Sequence, residues 1–269
     1  VSIEAGRKPI APIGSDASVD KTLSVDAFFG GRLTLTQPRK GHRAGTDAVL
    51  LAAAAGDPRD GTVVDLGAGV GTIGLAIAAR SPLARVVLVE SETGLAALAR
   101  HNGAANALDA RVRVIEADVL APARARHAAG LVSNMADLVV SNPPFYAPGR
   151  FRTSPDAVRS RAHAMDDNLL DRWVRTAADL LKPRGRLVMI HRADAVALVL
   201  SALAGRFGAV SLMPVHPRDG EPAVRLLVAG IKGSRAPLSL RPGIVLHAPG
   251  GGFTAEMEAV NRGDALLTL

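Results

Sequence analysis

Ser141-Asn142-Pro143-Pro144-Phe145-Tyr146 follows an apolar run, Asp137 to Ser141, that reads as a buried strand. Two successive prolines cannot continue a central strand and hold the chain in a rigid, extended path. A simple strand terminator accounts for the prolines, Pro143 and Pro144. It does not account for the Asn before them or the aromatic pair after them. The Asn142 side-chain oxygen and the Pro143 carbonyl can accept the two N–H bonds of a planar amino group, which turns the nitrogen lone pair toward an incoming electrophile. Phe145 and Tyr146 can stack on the planar group. Such a site works by positioning and electrostatics. It needs no strong general base, because the nitrogen gives up its proton readily once the new bond has formed.

A second constellation is Asp65-Leu66-Gly67-Ala68-Gly69-Val70-Gly71, between a strand pattern and a helix pattern. Glycines let a backbone turn tightly and approach a ligand closely. An ordinary tight turn would read the same way, and a glycine-rich turn alone is weak evidence. The spacing here is G-x-G-x-G, not the G-x-G-x-x-G of dinucleotide sites. Asp65 also ends the preceding strand, where it would repel a pyrophosphate but not a zwitterionic amino-acid moiety. Glu90 ends the next strand, placed to accept from both hydroxyls of a ribose. Asp118, followed by Val119, ends the third, placed to accept from an adenine amine. Each acid alone could be a helix cap or a solvated turn residue; three at successive strand ends are a pattern.

Basic residues flank both constellations. Arg39, Lys40 and Arg43 precede the first helix pattern, and Arg150, Arg152, Arg159 and Arg161 follow the Asn-Pro-Pro-Phe segment. As phosphate contacts they would hold RNA; as a solvated loop they would do nothing. His163 and His191 lack partners at metal-ligand spacing and read as structural, so no metal is expected. Trp173, the one tryptophan, sits in a helical pattern and reads as core.

The elements that must position these residues alternate. Phe28 to Thr36 reads as a hairpin around Gly30-Gly31, and Asp47 reads as the cap of a helix over Ala48 to Ala55. Thr62 to Leu66, Arg85 to Glu90, Val112 to Ala117, Asp137 to Ser141 and Arg186 to His191 read as strands. Thr72 to Arg80, Glu92 to Leu108, Asp167 to Leu181 and Asp194 to Phe207 read as helices between and after them. Two late strands fall near Val210 to Pro214 and Val224 to Gly230. Alternation of this length implies an α/β fold with a mostly parallel sheet covered on both faces. Ligands of such sheets sit at the carboxyl ends of the strands, near the point where strand order reverses. Both constellations fall at strand ends.

The chain has 269 residues and is 48% hydrophobic, enough to bury a sizeable core. It has no cysteine, which excludes disulfides, thiolate metal sites, iron–sulfur clusters and any cysteine nucleophile. A net charge of +7 suits a polyanionic partner, although an arginine-rich, alanine-rich composition can produce that balance without one. No run approaches the ~18 apolar residues that suggest a membrane span. The first residues carry no signal-peptide pattern. The expectation is a cytoplasmic protein with a mobile leader (1–24), a hairpin and helix covering the cofactor site (25–60), a core (61–232) and a C-terminal extension packed on it (233–269).

Gly30-Gly31-Arg32-Leu33, Gln37-Pro38-Arg39-Lys40-Gly41, Asp47-Ala48-Val49-Leu50-Leu51, the Asp65–Gly71 loop and Asn142–Phe145 occur in this order. The set resembles the bacterial tRNA1(Val) adenine-37 N6-methyltransferases, over most of the chain. That resemblance implies a Rossmann-like class I methyltransferase fold with a seven-stranded sheet. It implies S-adenosyl-L-methionine as cofactor and an exocyclic adenine amine of tRNA as acceptor. It also implies that Thr46 and its neighbours close over the methionine end of the cofactor, although Thr46 and Asp47 read equally well as a helix cap. The motifs alone leave alternatives open. These are a protein glutamine amide, a guanine of ribosomal RNA, a small molecule, or a cofactor-binding, RNA-associated protein without catalysis. The sequence does not speak to oligomeric state.

Overall fold

A computed structural model describes residues 22–40, 44–144 and 155–269, the side chains of 155–167 excepted. An antiparallel hairpin opens it, β1 (Leu23–Phe28) and β2 (Leu33–Pro38), paired from Leu23↔Pro38 to Phe28↔Leu33. Its turn uses Phe29, Gly30 and Gly31, all at positive φ. The strands therefore extend further to both sides than the alternation over Phe28 to Thr36 suggested. Helix α1 (Thr46–Ala54) follows and is buried along nearly its whole length. Its N-cap is Gly45, with no side-chain cap. Asp47 is therefore not the cap: it lies in the first helical turn and pairs instead with Arg225, 2.9 Å away.

From residue 62 strands and helices alternate: β3 (Thr62–Leu66), α2 (Thr72–Arg80), β4 (Arg85–Glu90), α3 (Thr93–Ala105), β5 (Val112–Glu116), α4 (Ala123–Ala128), β6 (Ala136–Ser141) and α5 (Pro155–Leu180). Then come β7 (Leu181–Arg192), α6 (Val196–Leu203), β8 (Phe207–Arg218) and β9 (Arg225–Lys232). The sheet runs β8-β9-β7-β6-β3-β4-β5, parallel except for β9, which is antiparallel to both neighbours. The segment after Lys232 is not a plain wrap. It adds two short strands, β10 (Ser239–Leu240) and β11 (Ile244–His247), which pair successively along the free edge of β8, and a helix, α7 (Ala255–Arg262), which packs on α1.

The chain builds β3, β4 and β5 outward in one direction, then crosses back to lay β6 on the other side of β3. The crevice of this sheet therefore lies at the carboxyl ends of β3 and β6. Leu66 and Ser141, the last residues of those strands, are register partners.

Because strand side chains alternate, each strand feeds two cores. Val63 packs with α1 and α2 on one face, while Val64 and Leu66 pack with α5 and α6 on the other. A buried leucine or valine contributes about 1.5–3 kcal/mol, so two continuous apolar layers hold the strand ends rigidly. Asp65 shares the α2 face with Val63 and is wholly buried there. Gly74 makes that possible. A Cβ at Gly74 would sit 2.2 Å from Leu88 Cδ2, so only glycine lets α2 lie this close to β4.

Candidate active site

The Asp65–Gly71 loop closes on itself through backbone bonds. The Gly67 and Ala68 N–H groups both donate to the Val89 carbonyl at 2.9 Å, and Gly71 N–H donates to the Ala68 carbonyl. Gly67, Gly69 and Gly71 all have positive φ, the left-handed region that favours glycine. Their surroundings differ. A Cβ at Gly67 would meet the Trp173 ring at 3.0 Å and one at Gly71 would meet Leu88 at 2.8 Å, whereas one at Gly69 would meet nothing within 4 Å. The loop thus packs tightly on its two outer glycines and leaves its middle facing open space.

Asp65 accepts one hydrogen bond, from Gly74 N–H to Oδ2 at 2.9 Å. Its Oδ1 is buried with no partner. Burial pushes its carboxyl up to about 7, against the opposing Gly74 bond and with a smaller push from the Glu90 charge. Glu90 is the opposite case. Its Oε2 accepts from Gly69 N–H at 2.8 Å, and its Oε1 accepts from Ser91 and Glu92 N–H at 2.8 and 2.9 Å. A carboxylate has room for about four such bonds, so Oε2 keeps capacity for a hydroxyl. Beside it the Ala117 N–H donates to the Glu90 carbonyl, and Asp118 follows, exposed, with Oδ1 on Leu120 N–H at 2.8 Å. Val119 is buried, its carbonyl accepting from Thr176 Oγ1.

At the end of β6, Pro143 is buried, Pro144 exposed, and Asn142 half-buried. The Asn142 Oδ1 is buried without a hydrogen-bond partner. A buried acceptor without a donor costs about 1–3 kcal/mol, so a ligand that brings an N–H gains by binding there. Phe145, Tyr146, Arg150 and Arg152 lie outside the described residues, as does Arg43; so do residues 1–21 of the expected leader. Arg159, Arg161 and His163 fall on α5 in the stretch whose side chains are not described. Arg39 and Lys40 are exposed just after β2. Thr46 begins α1. His191 is buried near the end of β7, and burial holds its imidazole below the usual range. Among the described residues, no group of three His, Asp or Glu side chains is placed to hold a metal.

Several residues that position the site carry no motif. Asn102 on α3 is fully buried. Its Oδ1 accepts from Thr36 N–H, and its Nδ2 donates to the Thr36 and Val70 carbonyls. It ties the hairpin to the glycine loop. Asn106, one turn on, pairs with both backbone groups of Thr34. Two asparagines at i and i+4 on a helix match the two-residue repeat of a strand, and that spacing was visible in the chain. Gln37, also buried, donates to Asp26 and accepts from Ala44 N–H. It holds together the two sides of the undescribed residues 41–43.

The model for the methyltransferase small domain matches residues 43–215. The chain belongs to that family. It is an S-adenosylmethionine-dependent methyltransferase. A tRNA1(Val) (adenine(37)-N6)-methyltransferase from Porphyromonas gingivalis is 34% identical over 177 residues, 64% of this chain and 67% of that one. One of the same name from Aeromonas salmonicida is 30% identical over 218 residues, 79% of this chain and 85% of that one. Among solved structures, a predicted O-methyltransferase from Agrobacterium tumefaciens is 36% identical. It has a TM-score of 0.71, with 83% of this chain and 99% of that one covered. The class I fold recurs in M. jannaschii TYW2, solved with AdoMet, at 15% identity and a TM-score of 0.53 over 80% of this chain and 88% of that one.

The residues of this methyltransferase fit its cofactor. The orphaned Asp65 Oδ1 can take the positive charge of the methionine end. The open side of Gly69 leaves room for the chain between amino acid and ribose. Glu90 and Asp118 keep carboxylate oxygens that can accept from ribose hydroxyls and an adenine amine.

Proposed function

We propose that this methyltransferase acts on the exocyclic amino nitrogen of an adenine in tRNA. The observation that carries the nitrogen is the buried, partnerless Oδ1 of Asn142 at the end of β6, beside the glycine loop. S-adenosylmethionine supplies an electrophilic methyl group on a sulfonium. Asp65, the Gly67–Gly71 loop, Glu90 and Asp118–Val119 would hold it against the sheet edge, with Thr46 at the rim. Asn142 Oδ1 and the Pro143 carbonyl accept the two amine protons, which draws the nitrogen lone pair out of conjugation with the ring and aims it at the methyl. Pro143 and Pro144 keep those acceptors fixed, so little reorganisation accompanies transfer. Phe145 and Tyr146 stack on the base in this reading.

The choice of nitrogen over oxygen rests on the same residues. A hydroxyl must lose its proton to a base before or during attack. Asn142 and the prolines offer acceptors but no base. The choice of adenine in tRNA is supported by the names of the relatives and by the basic residues that flank the two motifs in the sequence, Arg39, Lys40, Arg43, Arg150, Arg152 and Arg161, which suit a phosphate backbone. Such a substrate places the enzyme in the cytoplasm. Among the described residues no helix is long and apolar enough to cross a membrane.

The test is incubation with methyl-labelled cofactor and unmodified tRNA, then digestion to nucleosides. Label on N6-methyladenosine is expected, and lost in Asn142→Ala. Label on a ribose or other hydroxyl, or none in any RNA, overturns the reading.

A further inference from the structure

The cofactor loop and the acceptor motif begin on neighbouring strands, and one side chain from a different element touches both. Trp173, on α5, donates its indole N–H to Ser141 Oγ at 2.9 Å. Ser141, 1% exposed, donates its own hydroxyl to the Leu66 carbonyl at 2.7 Å. The edge of the same indole lies against Gly67, 3.0 Å from where a Cβ would stand. Leu66 is the last residue before the glycine loop, and Ser141 the last before Asn142. Pro143 and Pro144 have no N–H to continue the β3–β6 ladder past this point. The side-chain relay makes the cross-link that the backbone cannot. Two further side chains of α5 reinforce it: Arg172 donates to the Leu120 carbonyl, and Thr176 donates to the Val119 carbonyl at 2.9 Å. Helix α5 therefore bonds to the end of β6, through Ser141 to the end of β3, and directly to the segment after β5.

We infer that Trp173, acting through Ser141, is a positioning residue that sets the register between the methyl donor's loop and the acceptor clamp at Asn142. It touches neither reactant; it fixes the distance between the two halves that hold them. Transfer is steep in that distance, since small misplacements of reacting atoms cost large factors in rate. Binding of the cofactor alone uses only one half and is insensitive to it. The inference rests on the proposed reading of Asn142 for its kinetic arm, but not for its spectroscopic one.

The chain's single tryptophan makes the relay directly observable. Titrating the parent with S-adenosylhomocysteine should shift the indole emission, because the ring packs on Gly67 of the loop that would hold the ligand and a bound ligand changes the polarity beside it. Ser141→Ala should shift the emission of the unliganded protein, because the indole N–H loses its acceptor. An emission that responds to neither overturns the inference whatever the acceptor molecule is. In the kinetic arm, Trp173→Phe keeps an aromatic ring and removes the N–H. It should lower kcat about 10-fold while KM for the cofactor and affinity for S-adenosylhomocysteine stay within about two-fold. Ser141→Ala should do the same, and the double variant should be no worse than either single one, as expected of members of one relay. An unchanged kcat, or equal losses in cofactor binding and turnover that track a lowered melting temperature, would reduce Trp173 to packing. If the parent methylates no amino nitrogen at all, the proposed function fails while the emission arm still decides the relay.

Discussion

At the end of β4, Glu90 takes three backbone N–H groups on its two oxygens. At the end of β6, Asn142 Oδ1 takes none, although it is shut off from water. The two side chains, close together in one sheet, hold their polar atoms in opposite states. On the donor side Glu90 is already satisfied by the protein, and the one acceptor left open there, Asp65 Oδ1, belongs to a carboxyl that burial pushes toward its neutral form. At the end of β6 the network is left open at Asn142 Oδ1, the atom to which the proposed reading brings the substrate. Satisfying Glu90 internally makes the donor loop rigid without ligand. Leaving Asn142 unsatisfied stores an unfavourable state, of about 1–3 kcal/mol, that a planar amine relieves. In the proposed reading, selectivity for an N–H donor follows from that unmet acceptor.

The most direct way to break the comparison is Asn142→Ala, which carries the largest expected effect. Losing a single aimed hydrogen-bonding group in comparable sites costs about 100- to 1000-fold in turnover. Cofactor affinity, measured by calorimetry with S-adenosylhomocysteine, should change by less than about three-fold. A comparable loss in both would mean that the two regions are not separable. The donor side has its own breaking point in Gly67. With φ at +73° and the Trp173 ring 3.0 Å from the Cβ position, Gly67→Ala combines backbone strain with a clash. Each contributes about 1–3 kcal/mol. Cofactor affinity should fall by about 10- to 100-fold, and a titration that shows parent affinity would remove Gly67 from the loop's function.

How far the two regions could be read in the chain also differs, for physical reasons. Thr62–Leu66, Thr72–Arg80 and Arg85–Glu90 are legible to the residue. Strands buried on both faces are continuous apolar runs, and the loop between them is marked by glycines that nothing else can replace. After Asn142 legibility drops. Helix α5 begins at Pro155, well before the Asp167 that its apolar spacing suggests, because its first turns are rich in charge. Strand β7 begins at Leu181, not Arg186, since Pro183-Arg184-Gly185 bulges out of a strand rather than ending a turn before it. Before Asn142 one element is also hidden: helix α4 is six residues of alanine and basic side chains with no apolar stripe to reveal it. At the site, motif residues were legible and their supports were not. Trp173 reads as core from its helical position, yet its indole N–H is bound to Ser141. Asp47 reads as a cap, yet a glycine caps α1 and Asp47 pairs with a residue 178 positions away. Long-range partners of single polar residues leave no local pattern.

The pH dependence sharpens the comparison within the donor side. Asp65 titrates near 7 because burial disfavours its charged form. Between an unfolded value of 3.8 and the folded value, the folded chain keeps a proton that the unfolded chain has released. Unliganded stability should therefore fall as pH rises through that window and level off above it. Cofactor binding should run the other way, because only the ionised carboxylate attracts the cationic methionine end. Affinity for S-adenosylhomocysteine should rise by nearly 10-fold per unit well below pH 7 and flatten near it. Asp65→Asn should abolish the slope. A slope that survives in the variant would assign the titration to another group.

The smallest effect tests the hairpin that Asn102 ties to the glycine loop. Lys40 is exposed just beyond the open end of the hairpin, and Arg32, at its turn, is bound to Asp264 and the Gly263 carbonyl of the C-terminal segment. Both ends are basic, so net charge alone would make them equivalent toward RNA. The proposed reading does not, because it assigns the phosphate backbone to the end that leads into α1. Removing one phosphate-binding side chain weakens binding by a few-fold and lowers the salt slope by about 0.7–0.9. Lys40→Ala should do both in a filter-binding titration with tRNA across salt concentrations. Arg32→Ala should leave the slope unchanged and cost at most about 1 kcal/mol of stability, as exposed ion pairs do. If the two variants lose RNA affinity equally, the hairpin is a diffuse electrostatic surface, and the cleft does not set where the substrate lies.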